Sequence, residues 1–116
     1  RSGAGGHAGL FGSGRGLVRY LDRFLSSDLG AWFLRELKSA ETREQKSGHR
    51  LGWKRTSFSH REPAFGHLGF TGTAFWVLPK QQKILVLLTN RVVSGRKSPW
   101  MQDFRRASFE ALIAIK

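Results

Sequence analysis

The chain has 116 residues and no cysteine, with 20 Lys and Arg against 8 Asp and Glu for a formal charge of +12. That length suits one ordinary domain, and a hydrophobic fraction of 40% with nine Phe and four Trp supplies a core, which excludes a disordered polycation. Without Cys there is no disulfide or thiolate metal site, no apolar run reaches the roughly 20 residues that span a bilayer, and no secretory signal is visible.

The positive excess attracts polyanions such as nucleic acid, anionic lipid or an acidic wall polymer, or it is a solvated face. The chain opens on Arg1 inside a glycine-rich stretch and reads as a processed or excised piece. Residues 1–16 carry Gly3, Gly5, Gly6, Gly9, Gly12, Gly14 and Gly16 and read as a loop. No strand precedes Gly12-Ser13-Gly14, so a phosphate-cradling loop is not indicated, and Ser13 reads as a helix N-cap.

A first helix is predicted over about 14–26, where Leu17, Val18, Leu21, Phe24 and Leu25 form one apolar stripe. Arg15, Arg19 and Arg23 stand four apart on the other side, a solvated face or a phosphate-holding stripe. A second helix is predicted over about 28–38 from Leu29, Trp32, Phe33 and Leu37, with Ser27 as its cap. Residues 39–48 are polar and aperiodic, hence a surface loop.

Arg50 to Lys54 is a short strand candidate, and residues 57–63 a loop that Pro63 keeps irregular. Strands are then predicted at about 64–70 and 73–78, joined by a tight glycine-containing reversal, and at 84–89 after the turn of Pro79 to Lys83. Ile84 to Thr89 is apolar without alternation, as in a strand covered on both faces. After a basic loop, Ser98-Pro99 announces a helix whose Trp100, Phe104, Ala107, Ala111 and Ile115 recur at spacings of three and four. The predicted class is α+β: a three-strand antiparallel meander plus a short extra strand, two N-terminal helices and a C-terminal helix packed on the sheet. The units are residues 1–48 (glycine-rich loop and helices), 49–97 (strands) and 98–116 (last helix), within one domain of residues 1–116.

Chemistry is sparse. His7, His49, His60 and His67 share no metal-ligand spacing, and no metal or cofactor is indicated. Ser94-Gly95-Arg96-Lys97 has a spacing that puts hydroxyl and amine on one helix face. It falls in a loop before a helix already capped, and reads as coincidence. The informative block is Phe65-Gly66-His67-Leu68-Gly69-Phe70-Thr71-Gly72-Thr73, where glycines at 66, 69 and 72 admit close approach of a ligand or another backbone.

This block, with Gly6 to Ser13, Leu17 to Phe24 and Leu51-Gly52-Trp53 before it and Leu87-Leu88-Thr89-Asn90-Arg91-Val92 after it, resembles serine β-lactamase-related hydrolases. That family includes β-lactamases, penicillin-binding peptidases and esterases, and the likeness covers nearly the whole chain in order. It implies part of a β-lactamase/transpeptidase-like fold, acting through an acyl-serine on an ester, β-lactam or peptide amide. His67-Leu68-Gly69 would be the counterpart of the Lys-Thr-Gly signature. By the resemblance His67 would hold a substrate carboxylate or assist proton traffic, and Gly69 would let the acyl group lie against the strand. The backbone N–H of Phe70 would be an oxyanion donor, with Leu68, Thr71, Gly72 and Thr73 along the substrate.

Two departures stand out: Leu68 replaces a hydroxyl residue, and Arg15 and Gly16 stand where acidic residues suit a helix start. The nucleophile-bearing Ser-x-x-Lys helix and the Tyr-x-Asn-type motif of the family would lie upstream of Arg1. The chain is therefore expected to need the N-terminal part of its domain, or a second chain, and to be inactive alone. Ile84 to Thr89 would then be an exposed apolar edge. A periplasmic, cell-envelope or secreted location, and a small ester, amide or peptidoglycan-like substrate, are further implications of the resemblance. The alternative function is a non-catalytic basic module binding nucleic acid or another polyanion through Arg15, Arg19, Arg23, Arg91, Arg96 and Lys97.

Overall fold

The structure is a computed structural model, and it describes residues 10–39, 49–58, 62–92 and 99–115. Two helices open the described chain. Helix α1 spans Gly14–Leu25; Ser13, extended at its N-cap, accepts a hydrogen bond from the Gly16 N–H at 3.0 Å. One orphan donor of the first turn is thereby satisfied, as the sequence leads one to expect. Helix α2 spans Asp28–Ser39, and the Ser27 hydroxyl caps it by accepting from the Gly30 N–H at 3.1 Å. The two helices meet closely at Gly30, where an added Cβ would sit 1.9 Å from the Phe24 carbonyl oxygen.

Five strands follow: β1 His49–Arg50, β2 Trp53–Ser57, β3 Pro63–Leu68, β4 Ala74–Leu78 and β5 Lys83–Leu87. They form one antiparallel sheet in the order β1-β2-β3-β4-β5. Helix α3 spans Trp100–Ala114. The expected stripe of Trp100, Phe104, Ala107, Ala111 and Ile115 is exposed; the buried face is Met101, Arg105, Phe109 and Ile113, whose four-residue spacing places them in one row along the helix. The class is α+β, but the sheet corrects the expected three strands plus one. The single strand predicted at Arg50 to Lys54 is broken by a two-residue reversal at Leu51 and Gly52, with φ of 49° and 81°. Two consecutive positive φ values match the twist of a tight hairpin, so Arg50 pairs with Trp53. Strand β2 continues to Ser57, which pairs with Pro63 where a loop was expected. Proline is tolerated there because it is the first residue of its strand. Ser98, the expected cap of the last helix, lies outside the described residues; Pro99 occupies the N-cap position without a side-chain hydrogen bond.

Register sorts the side chains into two faces. Ala64, Ala74, Trp76, Leu78 and Leu85 share one face, and with Phe58 they form a core against Phe109 and Ile113 of α3. Three aromatics fix that layer: Phe58, Trp76 and Phe109, with ring centroids 6.0 to 6.4 Å apart. On the other face, edge-on contacts run from Phe24 through Phe33 and Trp53 to Phe75, at 5.4, 4.9 and 5.0 Å. Helices α1 and α2 thus cover one side of the sheet and α3 the other.

Strand β5 ends the strand order, yet α1 and α3 both pack on it. Gly14 lies against Val86 and Leu88 on one face, and Leu85 and Leu87 join the α3 core on the other. This is the physical reason for its unbroken apolar run. Its free side has no partner strand among the described residues. Two polar devices close the far end of the sheet. The Lys83 ammonium donates to the carbonyls of Ile113 at 2.7 Å and Ile115 at 2.5 Å, meeting the negative end of α3. The buried Glu62 carboxylate accepts the N–H of Lys80 and that of Gln81, fixing the β4–β5 turn.

Candidate active-site wall around His67

His67 is the penultimate residue of β3, paired across the ladder with Phe75. Its imidazole is exposed. Its ring centroid lies 5.8 Å from that of His49, brought across from β1 by the unforeseen hairpin. Sequence spacing alone gave no reason to associate the two. Among the described residues no three His, Asp or Glu side chains gather as a metal-ligating group.

Beyond Leu68, which still pairs with Ala74, the chain leaves the ladder and turns between Gly69 and Thr73. The Gly69 N–H donates to the Thr73 carbonyl at 2.7 Å and the Gly72 N–H to the Gly69 carbonyl at 3.2 Å. The three glycines of the motif face the protein's own atoms. A Cβ at Gly66 would meet the Phe75 carbonyl oxygen at 1.9 Å, and one at Gly69 would meet Thr73 Oγ1 at 2.0 Å. Gly72 combines a φ of +119° with the Thr89 hydroxyl 2.6 Å from the Cβ position. The close approaches read from the sequence are therefore filled from within. Leu68, in the substituted signature position, packs against the α3 core. Phe70 and Thr71 are exposed, and Thr73 is half-buried.

Every carbonyl of the turn accepts a hydrogen bond. The Gly69 oxygen takes one from Arg105 Nη2 at 2.7 Å, besides that from Gly72. The Phe70 oxygen takes one from Arg91 Nε at 2.5 Å, and the Thr71 oxygen one from the Arg91 N–H at 2.9 Å. The Gly72 oxygen accepts from the Thr89 hydroxyl at 2.6 Å. The Thr73 oxygen accepts from Gly69 and also from Arg105 Nη2 at 3.2 Å. The Arg91 guanidinium lies 4.9 Å from the centroid of the Phe70 ring. Arg105, on α3, is 8% exposed, and its Nε has no hydrogen-bond partner among the described residues. Burial, with the neighbouring charge of Arg91, pushes its guanidinium below the usual arginine pKa.

Sequence reading missed Arg105 as part of the site; it stands in an exposed-looking basic pair with Arg106. Arg91, grouped beforehand with polyanion contacts, is engaged by the turn. Arg15, Arg19 and Arg23 are exposed on α1. Arg96 and Lys97, with the Ser94-to-Lys97 spacing, lie outside the described residues.

An exposed histidine one residue from the end of its strand is thus followed by a turn whose carbonyls are all engaged. A family model described as Beta-lactamase matches residues 1–107, and the chain belongs to that family of serine hydrolases. No curated protein and no solved structure matches it.

Proposed function

We propose that this chain is the C-terminal portion of a serine hydrolase that acts through an acyl-serine intermediate on an ester, β-lactam or peptide amide. It supplies the His67-Leu68-Gly69 strand and the oxyanion wall, and the nucleophile comes from polypeptide outside these 116 residues. The observation that carries the reading is the exposed imidazole of His67 beside a turn with all five carbonyls engaged. Such a turn keeps its backbone donors oriented before substrate arrives, so little reorganisation accompanies charge development. His67 faces the substrate and interacts with its carboxylate or relays a proton. The partner is the nucleophile-bearing part of the same domain or a second chain, and the enzyme works in the periplasm or cell envelope or is secreted.

The test is turnover of nitrocefin and p-nitrophenyl esters, with mass spectrometry for an acyl adduct. The longer polypeptide is expected to form the adduct on its own serine, and the isolated 116 residues to give no turnover. Hydrolysis by the isolated chain, or no adduct in the longer one, would sink the proposal.

A second reading, a non-catalytic polyanion-binding module, draws on the exposed Arg15, Arg19 and Arg23 of α1. It requires affinity for DNA or anionic vesicles that falls steeply with salt. Salt-independent or undetectable binding would remove it.

A further inference from the structure

A buried arginine without a carboxylate partner is costly, because a charge leaves water and meets only neutral dipoles. Among the described residues Arg105 is such a residue: its partners there are the carbonyl oxygens of Gly69 at 2.7 Å and Thr73 at 3.2 Å. It reaches them from α3, across more than 30 residues of sequence. Arg91 stands near enough to disfavour its charge further. Core packing alone does not call for this arrangement, since an apolar side chain would fill the same space without a desolvated charge.

The Gly69 carbonyl and the Phe70 N–H are opposite edges of one peptide unit. A trans peptide is planar and rigid, so its C=O and N–H point in opposite directions. Fixing the carbonyl toward α3 therefore aims the Phe70 N–H away from α3. A hydrogen bond from a charged donor also polarises the amide and strengthens its N–H as a donor. Arg91 holds the next plane through the Phe70 carbonyl. The two guanidiniums consequently grip consecutive peptide units of one turn.

We propose that Arg105 is the positioning residue of the oxyanion wall, setting the direction of the Phe70 N–H through the Gly69 carbonyl. This rests on the hydrolase reading above. It adds a role for a residue on a different element, which touches neither substrate nor nucleophile.

The experiment compares Arg105→Met and Arg105→Lys with wild type in the full-length hydrolase, with Arg106→Met as an exposed control. Misaiming one donor is expected to lower kcat about 10- to 100-fold in Arg105→Met, with KM within about twofold. Affinity for a boronic acid that forms a tetrahedral adduct is expected to fall by a similar factor. Arg105→Lys keeps the charge and one donor and is expected to recover part of the loss; Arg106→Met is expected to match wild type. Thermal melting reports the folded fraction. A folded Arg105→Met with unchanged kcat and boronate affinity overturns this inference alone. So does a loss that only follows the folded fraction, or failure of both Arg105 variants to fold. A wild type without hydrolysis overturns the hydrolase reading and this inference with it.

Discussion

Arg91 holds Phe70 twice: its Nε donates to the Phe70 carbonyl at 2.5 Å while its guanidinium carbon sits 4.9 Å from the centroid of the same residue's ring. One cation thereby restrains both the backbone and the side chain of a residue at the exposed tip of the turn. Replacing Arg91 with Ala is expected to cost about 1–2 kcal/mol, from a charge-assisted hydrogen bond and an exposed cation–π contact. Urea unfolding checks the magnitude. Amide exchange at Thr71 and Gly72 is expected to accelerate more than exchange in β4.

Glu62 is 5% exposed and accepts the backbone N–H groups of Lys80 and Gln81. Removing the carboxylate leaves those donors without their acceptor in a turn that is otherwise closed. Glu62→Ala is expected to destabilise the chain by about 1–3 kcal/mol, and Glu62→Gln, which keeps one acceptor oxygen, by less. Chemical denaturation of the three proteins orders them; equal stability of Ala and Gln variants would count against this account.

Gly30 is buried where α1 and α2 meet, and a methyl group there would fall 1.9 Å from a backbone oxygen that cannot step aside easily. Alanine normally favours a helix over glycine by close to 1 kcal/mol. Here the sign is expected to reverse, with Gly30→Ala losing about 1–3 kcal/mol through overpacking. A thermal melt that shows stabilisation would mean the helices separate without penalty.

Strand β5 leaves one side of its backbone without a partner strand among the described residues, and Leu88 beyond it is 52% exposed. Unpaired, apolar edges recruit other chains. The isolated chain is expected to self-associate at micromolar concentration, and Leu88→Lys to shift sedimentation toward monomer without changing the circular dichroism. A monomeric wild type would show that the edge is already protected.

The existence of the helices was legible in the sequence, but burial follows the expected spacing best in α1: Leu29 and Trp32 of α2 are exposed, and α3 buries Met101, Arg105, Phe109 and Ile113 in place of the expected Trp100, Phe104, Ala107, Ala111 and Ile115. Leu17, Leu21 and Phe24 recur at helical intervals, and α1 and α2 end within one residue of where that pattern stops. Strand β5 was legible because two covering layers require an unbroken apolar run. The β1–β2 hairpin was not, because Leu51-Gly52 lacks the Asn-Gly or Asp-Gly pair that signals such a turn. The motif glycines were noticed, but their cause was hidden: the atoms that crowd Gly69 and Gly72 belong to Thr73 and Thr89, and only folding brings Thr89 there. Arg105 was missed because a basic residue on a helix normally points to water and the helix was phased on Trp100 and Phe104; it stands four residues from Met101 and from Phe109, in the row that is buried.

Helix α3 is fastened at two places along one strand. Arg105 ties it to the turn entering β4, and Lys83, at the start of β5 opposite the end of β4, ties its last carbonyls there. It works as a tie-rod whose length and phase are set by the residues between the two fasteners. Inserting a single residue between Arg106 and Leu112 would rotate one fastener by about 100° relative to the other. The reverse also holds: a pull on the helix tail would be felt at the rim beside His67.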